Sequence, residues 1–192
     1  MKQKKSIRCP YCGGTAILRD ASFVYGEKSY GGKVYVCSNY PKCDAYVGVH
    51  PGTRIPKGTL ADQELRKKRM LAHQIFDQIW LRGILSRPDA YHWMADKFCL
   101  SDEQAHIGMF GNYMCDQVIR ESKKLLAHQI FDQIWLRGIL SRPDAYHWLA
   151  DKFCLSDEQA HIGMFGNYMC DQVIRESKKL LANQRPRLQA AG

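Results

Sequence analysis

The stretches Cys9-Pro10-Tyr11-Cys12-Gly13-Gly14 and Cys37-Ser38-Asn39-Tyr40-Pro41-Lys42-Cys43 decide how the N-terminal part of this 192-residue chain folds. Each sets two thiols a few residues apart, and in the first the glycines let the backbone turn beneath a metal ion. Between them, Thr15–Leu18, Ser22–Tyr25 and Lys33–Val36 read as strands, with Gly31-Gly32 as a turn. Hairpins that join two cysteine pairs make a zinc ribbon, in which the metal replaces a core that so short a segment cannot build. The spacing predicts one Zn2+ held by Cys9, Cys12, Cys37 and Cys43.

Outward from the ribbon, the lysines of the N-terminus are followed by no apolar stretch of the kind that makes a secretory signal. No run is long enough to span a bilayer. The expectation is a cytoplasmic protein, in the host cytoplasm if phage-encoded, that makes no membrane contact and keeps its eight cysteines reduced. The net charge of +9 is unevenly placed: residues 1–60 hold ten Lys/Arg against three Asp/Glu. Arg66, Lys67, Lys68 and Arg69 follow, whereas residues 71–125 hold six basic against seven acidic side chains. An electrostatic footprint for nucleic acid therefore belongs to the cysteine-rich end.

Residues 71–125 recur at 126–180 with an offset of 55, and only Met94 against Leu149 differs. Even exposed charges are unchanged, so the duplication is recent or deliberate rather than an ancient drifted array. Each copy reads as helical. Thr59 with Asp62 signals the start of a first helix running to about Gly83. Ala72, Ile75, Phe76, Ile79 and Trp80 fall on one face of it. Ser86 caps a second helix opening with Arg87-Pro88-Asp89, and Ser101-Asp102-Glu103-Gln104 has capping-box form for a short helical turn. Gly108 and Gly111 break the chain, and Asn112 opens a final helix. Because neither Gly nor Pro occurs between Asn112 and Gly138, that helix should continue into the first helix of copy two as a rod of roughly 39 Å. Met114, Cys115, Val118, Ser122, Leu125 and Leu126 face one way, and Ala127, Ile130, Phe131, Ile134 and Trp135 face the other, so the rod can serve two lobes, with exchange of equivalent helices as an alternative.

The resulting organisation is α+β: a zinc β-ribbon (1–50), a linker (51–60), helical copies at 61–125 and 126–180, and a flexible basic tail (181–192). The quoted CPYCGG and CSNYPKC, with a tyrosine-rich strand between them, resemble the C-terminal zinc ribbons of bacterial type IA DNA topoisomerases over about residues 7–47. That resemblance implies tetrahedral zinc on the same four cysteines and a surface that holds single-stranded DNA. It carries no topoisomerase activity, because no strand-cleaving tyrosine domain accompanies it. Over nearly the whole single-copy unit, VYVCSNYPKCDAYVGVHPGT, GTLADQELR, AHQIFDQIW, AYHWMA and HIGMF resemble a phage and bacterial family of zinc-finger-containing domains, which supports the architecture without naming a function. The chain departs from that family in carrying its helical segment twice.

Two functional classes follow. In the first, a non-enzymatic phage or prophage accessory binds nucleic acid, single-stranded or without sequence preference. Tyr11, Arg19, Tyr25, Lys28, Lys33, Tyr35, Tyr40 and Lys42 are its candidate contacts, set among the further aromatics Phe23, Tyr30 and Tyr46. Aromatic faces stack on bases while cations follow phosphates. In the second, the ribbon or the helical copies dock a host protein, with Trp80, Trp93, Trp135 and Trp148 as candidate anchors, although helical periodicity favours their burial in a core. Arg66 to Arg69 either extend a phosphate-binding surface or form a solvated helix face. Cys99, His106 and Cys115, with Cys154, His161 and Cys170, fit no metal spacing and are better read as buried small groups. No nucleophile, phosphate-cradling loop or carboxylate pair indicates an enzyme or a small-molecule substrate.

Overall fold

A computed structural model describes residues 6–29 and 31–183; Tyr30 and the tail beyond residue 183 lie outside the described residues. The chain divides into two compact units, Met1–His73 with Tyr91–Asp116, and Gln74–Ala90 with Gln117–Gly192. The α+β class holds, with a small sheet at the N-terminal end and helices thereafter.

In the first unit, β1 (Ala16–Asp20), β2 (Lys33–Cys37) and β3 (Tyr46–Gly48) form an antiparallel sheet in the order β1-β2-β3. Leu18 stands opposite Tyr35, which in turn pairs with Val47. Alternation along β2 splits the core in two. Cys37 joins Cys9, Ala45, Val47 and Leu60 on one face, with Tyr35 packed against them. Val34 and Val36 join Ala21 on the other, under Val24, Tyr40 and Tyr46.

Ser22–Tyr25 is not a strand: it is a single helical turn, α1. The N–H groups of Val24 and Tyr25 both donate to the carbonyl of Ala21, so Ala21 and Val24 reach the sheet at a helical spacing of three rather than a strand spacing of two. The third strand is Tyr46–Gly48, a segment too short to announce itself by alternation.

Residues 51–60 are built into this unit. The Lys57 N–H donates to Gly48 O and the His50 N–H to Ile55 O, closing a loop on the end of β3. Leu60 is buried in the metal-side core, and Ala61 pairs with Tyr46. Helix α2 (Gln63–Phe76) starts at Asp62, whose carboxylate accepts the Leu65 N–H. Thr59, the other candidate cap, instead accepts from Arg69 through both its carbonyl (2.8 Å) and its hydroxyl (2.6 Å). The guanidinium also donates to Phe110 O at 2.9 Å, and Arg69 is 8% exposed. Arg69 is therefore neither a phosphate contact nor a solvated charge. Its rigid, planar fork of donors satisfies oxygens on two chain segments at once. The Thr59 N–H donates to Gly108 O beside it.

The remaining elements follow the repeat. α2 gives way at Asp77 to α3 (Gln78–Leu81), and then come α4 (Arg87–Phe98), α5 (Asn112–Leu136), α6 (Arg142–Phe153) and α7 (Asn167–Asn183). The Ser86 and Ser141 hydroxyls accept the N–H of Asp89 and Asp144, the predicted caps of α4 and α6. Ser101–Gln104 makes only half a capping box. Gln104 Oε1 accepts the Ser101 N–H, but the chain goes extended at His106 and no helix propagates.

α5 is the expected uninterrupted rod: 25 residues, about 37 Å at the α-helical rise. Both of its apolar sets are buried, Cys115, Val118 and Ser122 in one and Ala127, Phe131 and Ile134 in the other. The second copy builds its core from its own residues. Ala127, Phe131, Ile134, Ala145, Leu149, Ile162, Phe165 and Val173 pack together, with Trp135 and Trp148 half-buried against them. No exchanged helix is needed to complete it.

Candidate metal centre

The first knuckle is drawn by two backbone bonds, Cys9 N–H to Gly14 O (2.8 Å) and Gly13 N–H to Cys9 O (3.0 Å). The second is drawn by Tyr40 N–H to Cys37 O and Cys43 N–H to Asn39 O, both 3.0 Å. Register then brings them together, since Ala16, four residues beyond Cys12, pairs with Cys37. Gly14 suits this closeness: a Cβ there would lie 2.9 Å from Ser38 Oγ and 3.3 Å from Cys12 Sγ, and those side chains would have to give way.

The four sulfurs lie within 4.8 Å of one another. Cys9 and Cys43 are 3.5 Å apart, and Cys12 and Cys37 are 3.2 Å apart. A zinc–sulfur bond of about 2.3 Å in a tetrahedron requires edges of about 3.8 Å, so the cluster fits one zinc ion with sulfur separations changing by no more than about 1 Å. The Asn39 side-chain amide donates to Cys12 Sγ (3.3 Å) and its backbone N–H to Cys37 Sγ (3.5 Å), the outer bonds that orient thiolate ligands. The Gly14 backbone N–H, followed by the Cys37 thiol, holds the Cys12 thiol down to about 6. Burial pushes Cys37 up to about 12, so Cys37 becomes a thiolate when a cation is present to compensate it.

Among the described residues this is the one cluster with metal-binding geometry. Cys115 and Cys170 are buried as expected, but Cys99 and Cys154 are exposed, at left-handed positions (φ 53°) that end α4 and α6. A left-handed helix end usually takes glycine or asparagine, and it carries the side chain away from the core.

The candidate nucleic-acid contacts separate into two groups. Tyr11 and Tyr35 use their hydroxyls within the fold: Tyr11 accepts the Asp62 N–H, and Tyr35 donates to Arg54 O. Lys33 pairs with Asp20 at 3.1 Å, while Lys28 and Lys42 are exposed. Arg19, Tyr25 and Tyr40 converge on the face away from the metal. There Phe23 packs on Tyr40 (5.6 Å between rings), and Tyr25 meets Tyr46 edge-on (5.7 Å). The Arg19 guanidinium lies 5.4 Å from the Phe23 ring and that of Arg66 3.8 Å from the Tyr46 ring, Arg66 also pairing with Asp44. Phe23 and Tyr25 remain 52% and 47% exposed. Composition alone did not separate Phe23, Tyr46 and Arg66 from the other aromatic and basic residues, because it is α1 and the β2–β3 register that gather them.

A four-thiolate zinc ribbon joined to a helical region is thus the class of protein that fold and site define. The family model of the zinc-finger-containing domain matches residues 5–125 and again 121–180, and the chain belongs to that family. The double match is the duplication seen from the family's side. No curated protein and no solved structure matches the chain. No helix among the described residues is long and apolar enough to cross a membrane.

Proposed function

We propose that this protein is a non-enzymatic binder of single-stranded nucleic acid, a phage or prophage accessory, and that the ribbon face away from the zinc is its contact surface. The observation that carries the reading is the aromatic strip Phe23–Tyr40 and Tyr25–Tyr46, half open to solvent and flanked by Arg19 and Arg66. Bases stack on such rings without regard to sequence, and guanidinium groups supply both cation–π and phosphate contacts. Beside the strip, a cleft of about 740 Å³ is lined by Tyr25, Lys33, His50, Arg54 and Lys57 and by no carboxylate. Zinc would hold the scaffold in register and take no part in chemistry.

Fluorescence anisotropy with a labelled single-stranded oligonucleotide tests this. If Arg19, Lys28, Arg54 and Lys57 each neutralise one phosphate, affinity should fall about 50-fold between 50 and 200 mM salt. Phe23→Ala with Tyr25→Ala should weaken binding by at least tenfold at fixed salt. Affinity that ignores both salt and the double substitution would sink the reading. The alternative, docking of a host protein, draws on Met109, Tyr113, Met164 and Tyr168, all more than half exposed on the helical copies. Its signature is capture from host extract that survives nuclease treatment.

A further inference from the structure

In the second unit, a cleft of about 390 Å³ is lined by Arg82, Ile130, Gln133, Arg137, Lys178, Leu181 and Ala182. Three of these side chains are cations and none is acidic. Among the described residues, neither Arg82, Arg137 nor Lys178 has an ion-pair partner, and the bond from Arg137 Nε to Gln133 Oε1 (3.2 Å) aims that guanidinium without neutralising it. Several other lysines of the helical region find carboxylates: Lys68 takes Asp116, Lys123 takes Asp171, and Lys152 and Lys179 share Glu176. Like charges gathered in one cleft repel one another, and a bound anion relieves that repulsion.

The duplication explains why the gathering occurs here. Arg82 and Arg137 are the same position in the two copies, so one cleft receives that arginine twice. Lys178 corresponds to Lys123 of the first copy, but Lys123 Nζ is held by Asp171 at 2.5 Å while Lys178 is unpaired. Second-copy residues alone supply two cations; Arg82 is the third.

We propose that Arg82, Arg137 and Lys178 form a binding site for a multiply charged phosphate-class oxyanion, created by the tandem duplication and separate from the ribbon surface. Two guanidinium forks match the paired oxygens of a phosphoryl group, and the ammonium adds a point charge beside them. Ile130, Leu181 and Ala182 form the apolar part of the cleft's lining beside the three cations. Burial, and then the neighbouring Arg82 charge, lower the pKa of Lys178.

Isothermal titration of the zinc-loaded full chain with inorganic pyrophosphate tests the site. One equivalent is expected to bind. Arg82→Gln or Arg137→Gln should weaken binding by at least about tenfold, and Lys178→Gln should weaken it too. Arg19→Gln on the ribbon should leave it unchanged, which separates this site from the surface proposed above. All the altered side chains are exposed, and far-UV circular dichroism verifies that each variant is folded. A 5′-phosphorylated oligonucleotide distinguishes the source of the phosphate. If it binds through Arg82 and Arg137 where pyrophosphate does not, the site takes nucleic-acid phosphates; if pyrophosphate binds, it takes free ones. Loss of binding in Arg19→Gln, full binding in the Arg82→Gln/Arg137→Gln double variant, or binding of neither ligand overturns the proposal.

Discussion

Gly108 and Gly163 occupy the same position in two copies that differ at one residue in 55, yet substitution by alanine should affect them differently. A Cβ on Gly108 would stand 2.5 Å from the carbonyl oxygen of Lys57, a backbone atom that cannot rotate away. A Cβ on Gly163 would meet nothing within 4 Å. Neither glycine has positive φ, so only the neighbours differ. Relieving the clash at Gly108 requires about 0.9 Å of separation to reach ordinary contact. The bonds in its path are Thr59 N–H to Gly108 O (3.1 Å) and Arg69 Nε–H to Phe110 O (2.9 Å). Overpacking of this kind costs about 1–3 kcal/mol, or about 2–12 °C in Tm for a chain of this size. Gly163→Ala should stay within about 0.5 kcal/mol of the parent, or be slightly stabilising because alanine restricts the unfolded chain. Gly58→Ala, whose Cβ would fall against the carbonyl oxygen of Gly108, should destabilise at least as much as Gly108→Ala. Thermal unfolding followed by circular dichroism compares the three. Equal shifts for Gly108→Ala and Gly163→Ala would refute the packing of residues 57–59 against the Gly108 turn.

Three further outcomes can be checked. Elemental analysis should find one zinc per chain; Cys43→Ser or chelation should abolish it and melt the ribbon, while helical signal persists because the core at 127–173 uses no ribbon residue. Phe131→Ala empties a fully buried ring site bordered by Trp135, Tyr146 and Trp148, and should cost about 3–5 kcal/mol by chemical denaturation. Bonds from Lys179 and then Lys152 hold the Glu176 carboxyl down to about 2, so its stabilisation is complete above the ordinary carboxylate range and fades as pH falls through about 2. Glu176→Gln should therefore lower Tm at pH 7 and lose that effect in acid, measured on metal-free chain so that thiolate protonation does not intrude; an unchanged difference at pH 2 would contradict it.

Cysteine spacing, with glycine where the chain must turn, was enough to single out Cys9, Cys12, Cys37 and Cys43, whose sulfurs lie within 4.8 Å of one another, because a metal site constrains neighbours a few residues apart. The unbroken α5 was legible in the same way, from the absence of Gly and Pro between Asn112 and Gly138, as were the serine caps at Ser86 and Ser141. These are local facts, written in single turns of chain. Tertiary structure alone decided that Ser22–Tyr25 coils, because its side chains answer to the sheet beneath them. It decided that Arg69, read as a surface charge among three others, is a buried clasp, because its acceptors on Thr59 and Phe110 lie 10 and 41 residues away. The same is true of the repeat. Two nearly identical sequences carry no sign of which glycine is covered or which lysine is paired; their differences arise from what each copy is attached to and what packs against it.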